Sequence, residues 1–171
     1  MPADDVERLV QTCDLSTRIG RRDHAILLLL ARLELRATEI IALCLDDIDW
    51  RAGEILVRGK GCFHDRLPLP RDVGAALAAY LRRDRQGPTR RVFVRVIGRP
   101  VPFTDGQAVN YVLRRALERT GVRMPAKWVG SHVFRHSLAT TMIRRGASLR
   151  ESVTFSITGA PTLRLSTRSR T

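Results

Sequence analysis

The order of apolar and polar positions along the chain predicts a run of helices interrupted by a small group of strands. Residues 1–20 are polar with scattered apolar positions (Val6, Leu9, Val10) and predict a short amphipathic opening helix. Arg22 to Leu33 is apolar on nearly every side and predicts a buried helix, followed by a second from Ala37 to Leu45 that ends at the Asp46-Asp47 turn. Ile48 to Trp50 and Glu54 to Arg58 read as strands joined by Arg51-Ala52-Gly53. Gly59-Lys60-Gly61 is a turn signal, and Arg66 to Leu69 returns as a third strand. Lys60 is therefore expected at or near the tip of a β-hairpin.

Asp72 to Arg83 predicts an amphipathic helix with Val73, Leu77, Tyr80 and Leu81 on one face. Val92-Phe93-Val94 reads as a short strand and Arg99 to Pro102 as a loop. Thr104 is the expected N-cap of a helix through Arg119 that stops at Thr120-Gly121. Ser131 is the expected cap of a helix running to Arg145 and ended by Gly146. Tyr80 and Tyr111 both fall on helices and are expected to pack in the core. From Ser152 to Thr171 nine of twenty residues are Ser or Thr without periodicity, so this segment reads as a loop or disordered tail.

Composition adds a partner class. A length of 171 residues is one domain with room for an ordinary core. Thirty Lys+Arg against seventeen Asp+Glu give a net charge of +13, which favours a polyanion such as the phosphate backbone. An arginine-rich proteome is the alternative source of that charge. The apolar stretch Ala25 to Ala31 is far too short to span a bilayer, and no signal peptide is read. Cys13, Cys44 and Cys62 are an odd number without metal-ligand spacing, which points to a reducing compartment and away from zinc. Lys60 and Lys127 are the only lysines. In a chain that otherwise carries its positive charge on arginine, a lysine marks a place where a transferable proton is useful.

Candidate chemistry sits at three places. Arg36, in Leu35-Arg36-Ala37-Thr38-Glu39, is closely bounded by apolar residues and needs a partner; Glu39 lies three residues on, within reach on one helical face. A purely structural Arg36–Glu39 pair is the plain alternative. Ser131-His132-Val133-Phe134-Arg135-His136 opens a helix and places His132 and Arg135 at i and i+3, near an end that favours phosphate. Lys60 stands in Val57-Arg58-Gly59-Lys60-Gly61.

Taken together and in this order, these motifs resemble the tyrosine recombinases of the phage integrase family. Leu45-Asp46-Asp47-Ile48-Asp49, Leu67-Pro68-Leu69-Pro70 and Leu138-Ala139-Thr140 resemble it too, and the likeness covers roughly residues 4–151. It implies a mainly α fold with a small antiparallel β-sheet, the integrase-like catalytic domain. It also implies a chemistry in which a tyrosine hydroxyl attacks a DNA phosphate, forms a phosphotyrosyl link and releases a 5′-hydroxyl, with no metal or other cofactor. By resemblance Arg36 and Arg135 would fork onto the non-bridging oxygens and stabilise the transition state. Lys60 would protonate the leaving oxygen and His132 would bond the phosphate or assist proton movement. Glu39 and His136 would be supporting residues. The implied partner is double-stranded DNA, bound by a homo-oligomer in the bacterial cytoplasm at the nucleoid, with no membrane role.

The chain departs from the family after this helix. The family continues with a second His or Trp and the nucleophilic Tyr, whereas no His follows His136 and the tyrosines here are Tyr80 and Tyr111. Residues 1–151 are accordingly expected to form a catalytic domain lacking its final helices, and 152–171 an atypical tail. Synonymous codons for Ser152 to Ser169 can be chosen that, read two bases out of phase, spell a family-like ending with His and Tyr. A frameshift near Glu151-Ser152 is therefore expected, in a fragment of a mobile element short at both ends. Two functions follow: a recombinase domain inactive for want of its nucleophile, or a non-catalytic DNA-binding remnant.

Overall fold

The computed structural model describes residues 2–59 and 64–122. The described residues form five α-helices, α1 (Ala3–Gln11), α2 (Arg18–Arg32), α3 (Ala37–Ala42), α4 (Arg71–Arg83) and α5 (Gln107–Thr120), and a small sheet. Its strands are β1 (Ile48–Asp49), β2 (Glu54–Arg58) and β3 (His64–Pro68), and a single 3-10 turn (Leu45–Asp47) leads into β1. The sheet is antiparallel in the order β1-β2-β3. The fold class expected from the sequence is the one observed.

Helix α2 is the centre of the core, with Ala25 to Leu30 all buried. It begins at Arg18, four residues before the expected start at Arg22, because Thr17 caps it: its Oγ1 accepts the Gly20 N–H at 3.0 Å. A glycine is required at position 20, where a Cβ would stand 1.8 Å from the Asp14 carbonyl oxygen of the preceding turn. Helix α4 packs antiparallel on α2, and ion pairs join the two at both ends. Arg21, at the start of α2, forks onto Asp84, just past the end of α4, at 2.6 and 2.7 Å. Arg32, at the end of α2, reaches Asp72 in the first turn of α4 at 2.9 Å and Glu7 of α1 at 2.8 Å.

The sheet presents one apolar row to this core. Ile55 and Leu67 face each other across β2 and β3, and both are buried with Val57. Arg58 pairs with His64 in register and closes the ladder on either side of the predicted Lys60 turn.

Several boundaries differ from the sequence reading. The second helix ends at Ala42 rather than Leu45, and Leu45–Asp47 instead forms the 3-10 turn, capped when the Asp47 carboxylate accepts the Cys44 N–H at 2.8 Å. Val92–Val94 is not a strand: Val94 makes one isolated bridge, to Pro102, and its N–H is taken by a tyrosine hydroxyl. Thr104 does not cap α5. Asp105 accepts the Gln107 N–H at 2.8 Å and the helix starts after Gly106.

Candidate functional site

Arg36 owes its position to the way α2 ends. Glu34 adopts a left-handed conformation with φ of 51°, which swings the chain so that the Leu35 N–H reaches back to the Leu29 carbonyl at 3.4 Å. Leu35 and Ala37 then point into the core while Arg36, in extended backbone between them, points out as the N-cap of α3. The arginine is thus bounded by core residues, as the sequence suggested, yet its own side chain is half exposed.

Glu39 fixes it. The Glu39 carboxylate is buried and accepts two bonds, from the Arg36 backbone N–H and from the Arg36 Nη1, each at 2.7 Å. A guanidinium has no lone pair to offer, so the reciprocal half of a capping box is absent and the carboxylate does both jobs. Among the described residues Glu39 is the one acceptor bonded to the Arg36 guanidinium. One edge of the fork is therefore held, and the rest of its N–H groups are presented to solvent, where a phosphate oxygen could take them.

The hairpin arm next to Lys60 is anchored by a pair that the sequence reading missed. Asp47, its carboxylate 1% exposed, accepts Arg58 Nη2 at 2.6 Å and Nε at 3.4 Å in addition to the Cys44 N–H. The hydrogen bond and charge of Asp47 raise the Arg58 guanidinium further above its already high range. In the sequence Asp47 read as a turn residue and Arg58 as a strand end. The one available signal was the Asp46-Asp47 doublet, too common to single out.

Lys60, His132, Arg135 and His136 lie outside the described residues, as do Cys62, the predicted Ser131–Arg145 helix and the 152–171 tail. Of the predicted site residues the structure therefore brings together Arg36 and Glu39.

The two tyrosines have opposite surroundings. Tyr80 is fully buried, stacked on Phe93 at 5.7 Å, and its hydroxyl accepts the Val94 N–H at 3.2 Å. Burial pushes its hydroxyl above the usual range. Tyr111 is not a core residue: half of it is exposed, contrary to expectation. The buried stripe of α5 runs through Val109, Val112, Leu113, Ala116 and Leu117, and position 111 lies off it. The Tyr111 ring instead lies under the Arg114 and Arg115 guanidinium groups at 5.5 and 5.8 Å.

Tyr111 also lines an open cavity of about 480 Å³ with Arg22, Arg95, Phe103, Asp105 and Gln107. Arg22 packs over the Phe103 ring at 5.2 Å and bonds the buried Asp23 at 2.6 and 2.9 Å. Burial pushes the Asp23 carboxyl up, and Arg22 opposes that shift. Among the described residues no group of three or more His, Cys, Asp or Glu is placed to hold a metal, and no helix is long and apolar enough to cross a membrane.

The sequence matches the phage integrase family over residues 1–153, and the chain belongs to that family of tyrosine recombinases. It is 51% identical over 151 residues to a putative integrase/recombinase of Sinorhizobium fredii, covering 86% of this chain and 36% of that protein. It is 33% identical over 153 residues to the tyrosine recombinase XerD of Listeria innocua, covering 86% of this chain and 50% of that one. The chain thus spans a third to a half of the length of these relatives. The XerH site-specific recombinase, solved bound to its difH substrate before cleavage, shares the fold with a TM-score of 0.70 at 20% identity, over 95% of this chain and 47% of that chain.

Proposed function

We propose that this chain is the catalytic domain of a site-specific DNA recombinase that keeps the family's grip on the scissile phosphate but carries no nucleophilic tyrosine of its own. The observation that carries the reading is Arg36, locked along one edge by the buried Glu39 and open to solvent along the other. A guanidinium fixed in this way needs little further ordering when a phosphate binds, which suits it to stabilise charge that develops on the non-bridging oxygens.

Arg135 supplies the second fork, His132 a hydrogen bond, and Lys60, in the hairpin whose arm Asp47 anchors through Arg58, the proton for the leaving oxygen. Glu39 and His136 support them. Double-stranded DNA is the partner, bound by an oligomer at the bacterial nucleoid, and the chemistry calls on no cofactor. The missing piece is the attacking group. Tyr80 keeps its hydroxyl inside the core, Tyr111 lies under two arginines, and no tyrosine follows Arg135 in this sequence. The 1–151 segment is the working domain, and 152–171 is a segment shifted out of frame in a mobile-element gene.

Titration of the chain with a random-sequence 30-base-pair duplex at increasing salt tests the grip. The expected result is binding whose logarithm falls linearly with the logarithm of salt concentration, with a slope shallower by about 0.9 in Arg36→Ala, one phosphate contact fewer. Absence of binding at low salt, or an Arg36→Ala titration superimposed on the wild type, would overturn the proposal.

A further inference from the structure

We infer that the turn Arg95–Arg99 is a second contact point for duplex DNA, with two arginines on phosphates and Ile97 against the sugar and base edges between them; this rests on the DNA-binding reading above. The turn is a built feature. The Val94–Pro102 bridge closes its base, the Arg95 N–H donates to the Val101 carbonyl at 2.9 Å, and the Val101 N–H donates to the Arg99 carbonyl at 2.9 Å. Gly98, with φ of 73° and open space on its Cβ side, lets the chain reverse. Val96 turns inward and is buried, whereas Ile97 stands out at 72% exposure.

Two properties of this tip call for a partner of definite chemistry. Arg95 and Arg99 are exposed, and among the described residues neither guanidinium has a hydrogen bond or an ion pair. Most other arginines near an acid take one: Arg8, Arg21, Arg32, Arg36, Arg58 and Arg90 all reach carboxylates. An aliphatic side chain between two uncommitted cations is matched by a surface with paired anions and an apolar strip between them. Duplex DNA offers that in its grooves, where phosphates flank deoxyribose and base edges and where proteins place apolar side chains.

Position favours DNA over any other polyanion. Arg95 lines the cavity that also contains Gln107 at the start of α5. Gly106, the residue before it, lies so close to α3 that an added Cβ would stand 3.0 Å from the Ala37 Cβ, next to Arg36. The turn is thus joined to the phosphate-gripping arginine through directly packed elements. The acid in this cavity, Asp105, is engaged by the Gln107 N–H.

The same duplex titration, run on Arg95→Ala/Arg99→Ala, Arg95→Lys/Arg99→Lys and Ile97→Ser, tests the inference. All three sites are exposed, so unchanged melting curves confirm that each variant is folded. The double alanine should flatten the salt slope by roughly 1.8, about 0.9 for each lost phosphate contact, and the double lysine should restore it. Ile97→Ser should weaken binding severalfold with the slope unchanged. If the wild type binds DNA and Arg36→Ala alters that binding while the turn variants follow the wild type, the turn inference falls and the function stands. If the wild type does not bind, the function reading has failed first. Variants that lose affinity for phosphatidylserine vesicles but not for DNA would assign the tip to a membrane surface and overturn the inference.

Discussion

Tyr80→Phe separates a structural tyrosine from a reactive one. The substitution keeps the ring, which is fully buried and stacked on Phe93 with an interplanar angle of 11°, and removes only the hydroxyl. That hydroxyl accepts the N–H of Val94, itself fully buried, so the variant leaves a desolvated donor without an acceptor. Such a loss costs about 1–3 kcal/mol. The bond is rather long at 3.2 Å, which places the expected cost in the lower part of that range. Taking about 1–2 kcal/mol and about 2–4 °C per kcal/mol for a chain of this size, the melting temperature should fall by roughly 2–8 °C. Urea unfolding should move to a lower midpoint with its slope unchanged, since the surface exposed on unfolding is the same. The amide of Val94 should exchange faster with solvent, and DNA affinity well below the melting temperature should not change. An equal or raised melting temperature would refute the reasoning, because it would mean that the hydroxyl satisfies nothing in the core.

Three further outcomes follow from the packing. Gly20→Ala forces a methyl group to 1.8 Å from the Asp14 carbonyl, so the turn before α2 must move; a loss of at least about 1–3 kcal/mol is expected in urea unfolding. Hydrogen bonds from Arg21 hold the Asp84 carboxyl below its ordinary value of 3.8, so its stabilisation is fully present above that value and is lost as pH falls through the lower folded one. Asp84→Asn should therefore lower the urea midpoint at pH 7 and flatten its decline below pH 4, whereas a parallel decline in both proteins would contradict the pairing. Burial, with the Asp23 charge second, pushes the Cys13 thiol up to about 11, so at pH 8 only about one molecule in a thousand carries the reactive thiolate there. Alkylation of Cys13 followed by mass spectrometry should be negligible in the folded chain and should rise with urea along the unfolding curve; rapid labelling of native protein would show that the site is open.

The helices and sheet were legible because their signals are local. The apolar run of α2, the i, i+3, i+4 stripe of α4 and the strand–turn–strand order of β1 and β2 each lie within a short window. Arg36 and Glu39 were legible for the same reason, since a separation of three residues is a contact that sequence alone can propose, although Arg36 proves to be the extended N-cap of α3 rather than part of the helix. What could not be read depends on contacts between distant segments. Asp84 and Arg21 meet across 63 positions and Asp47 and Arg58 across a strand, so neither acid shows in the sequence that it is buried. The start of α2 was misplaced because its first turn carries no apolar pattern, and the Thr17 side chain rather than hydrophobicity sets it. Tyr111 was assigned to the core from its residue type, but the neighbouring stripe already fills the buried face of α5.

The most direct test of the central claim is a search for a covalent intermediate. The chain would be incubated with a pool of nicked duplexes carrying randomised cores, then denatured and resolved for protein–DNA adducts. The account predicts a native complex that dissolves with salt and leaves no adduct after denaturation, the behaviour of a phosphate grip without a nucleophile. A denaturation-resistant adduct, whichever tyrosine it mapped to, would show that this chain supplies its own attacking group and would contradict the proposal.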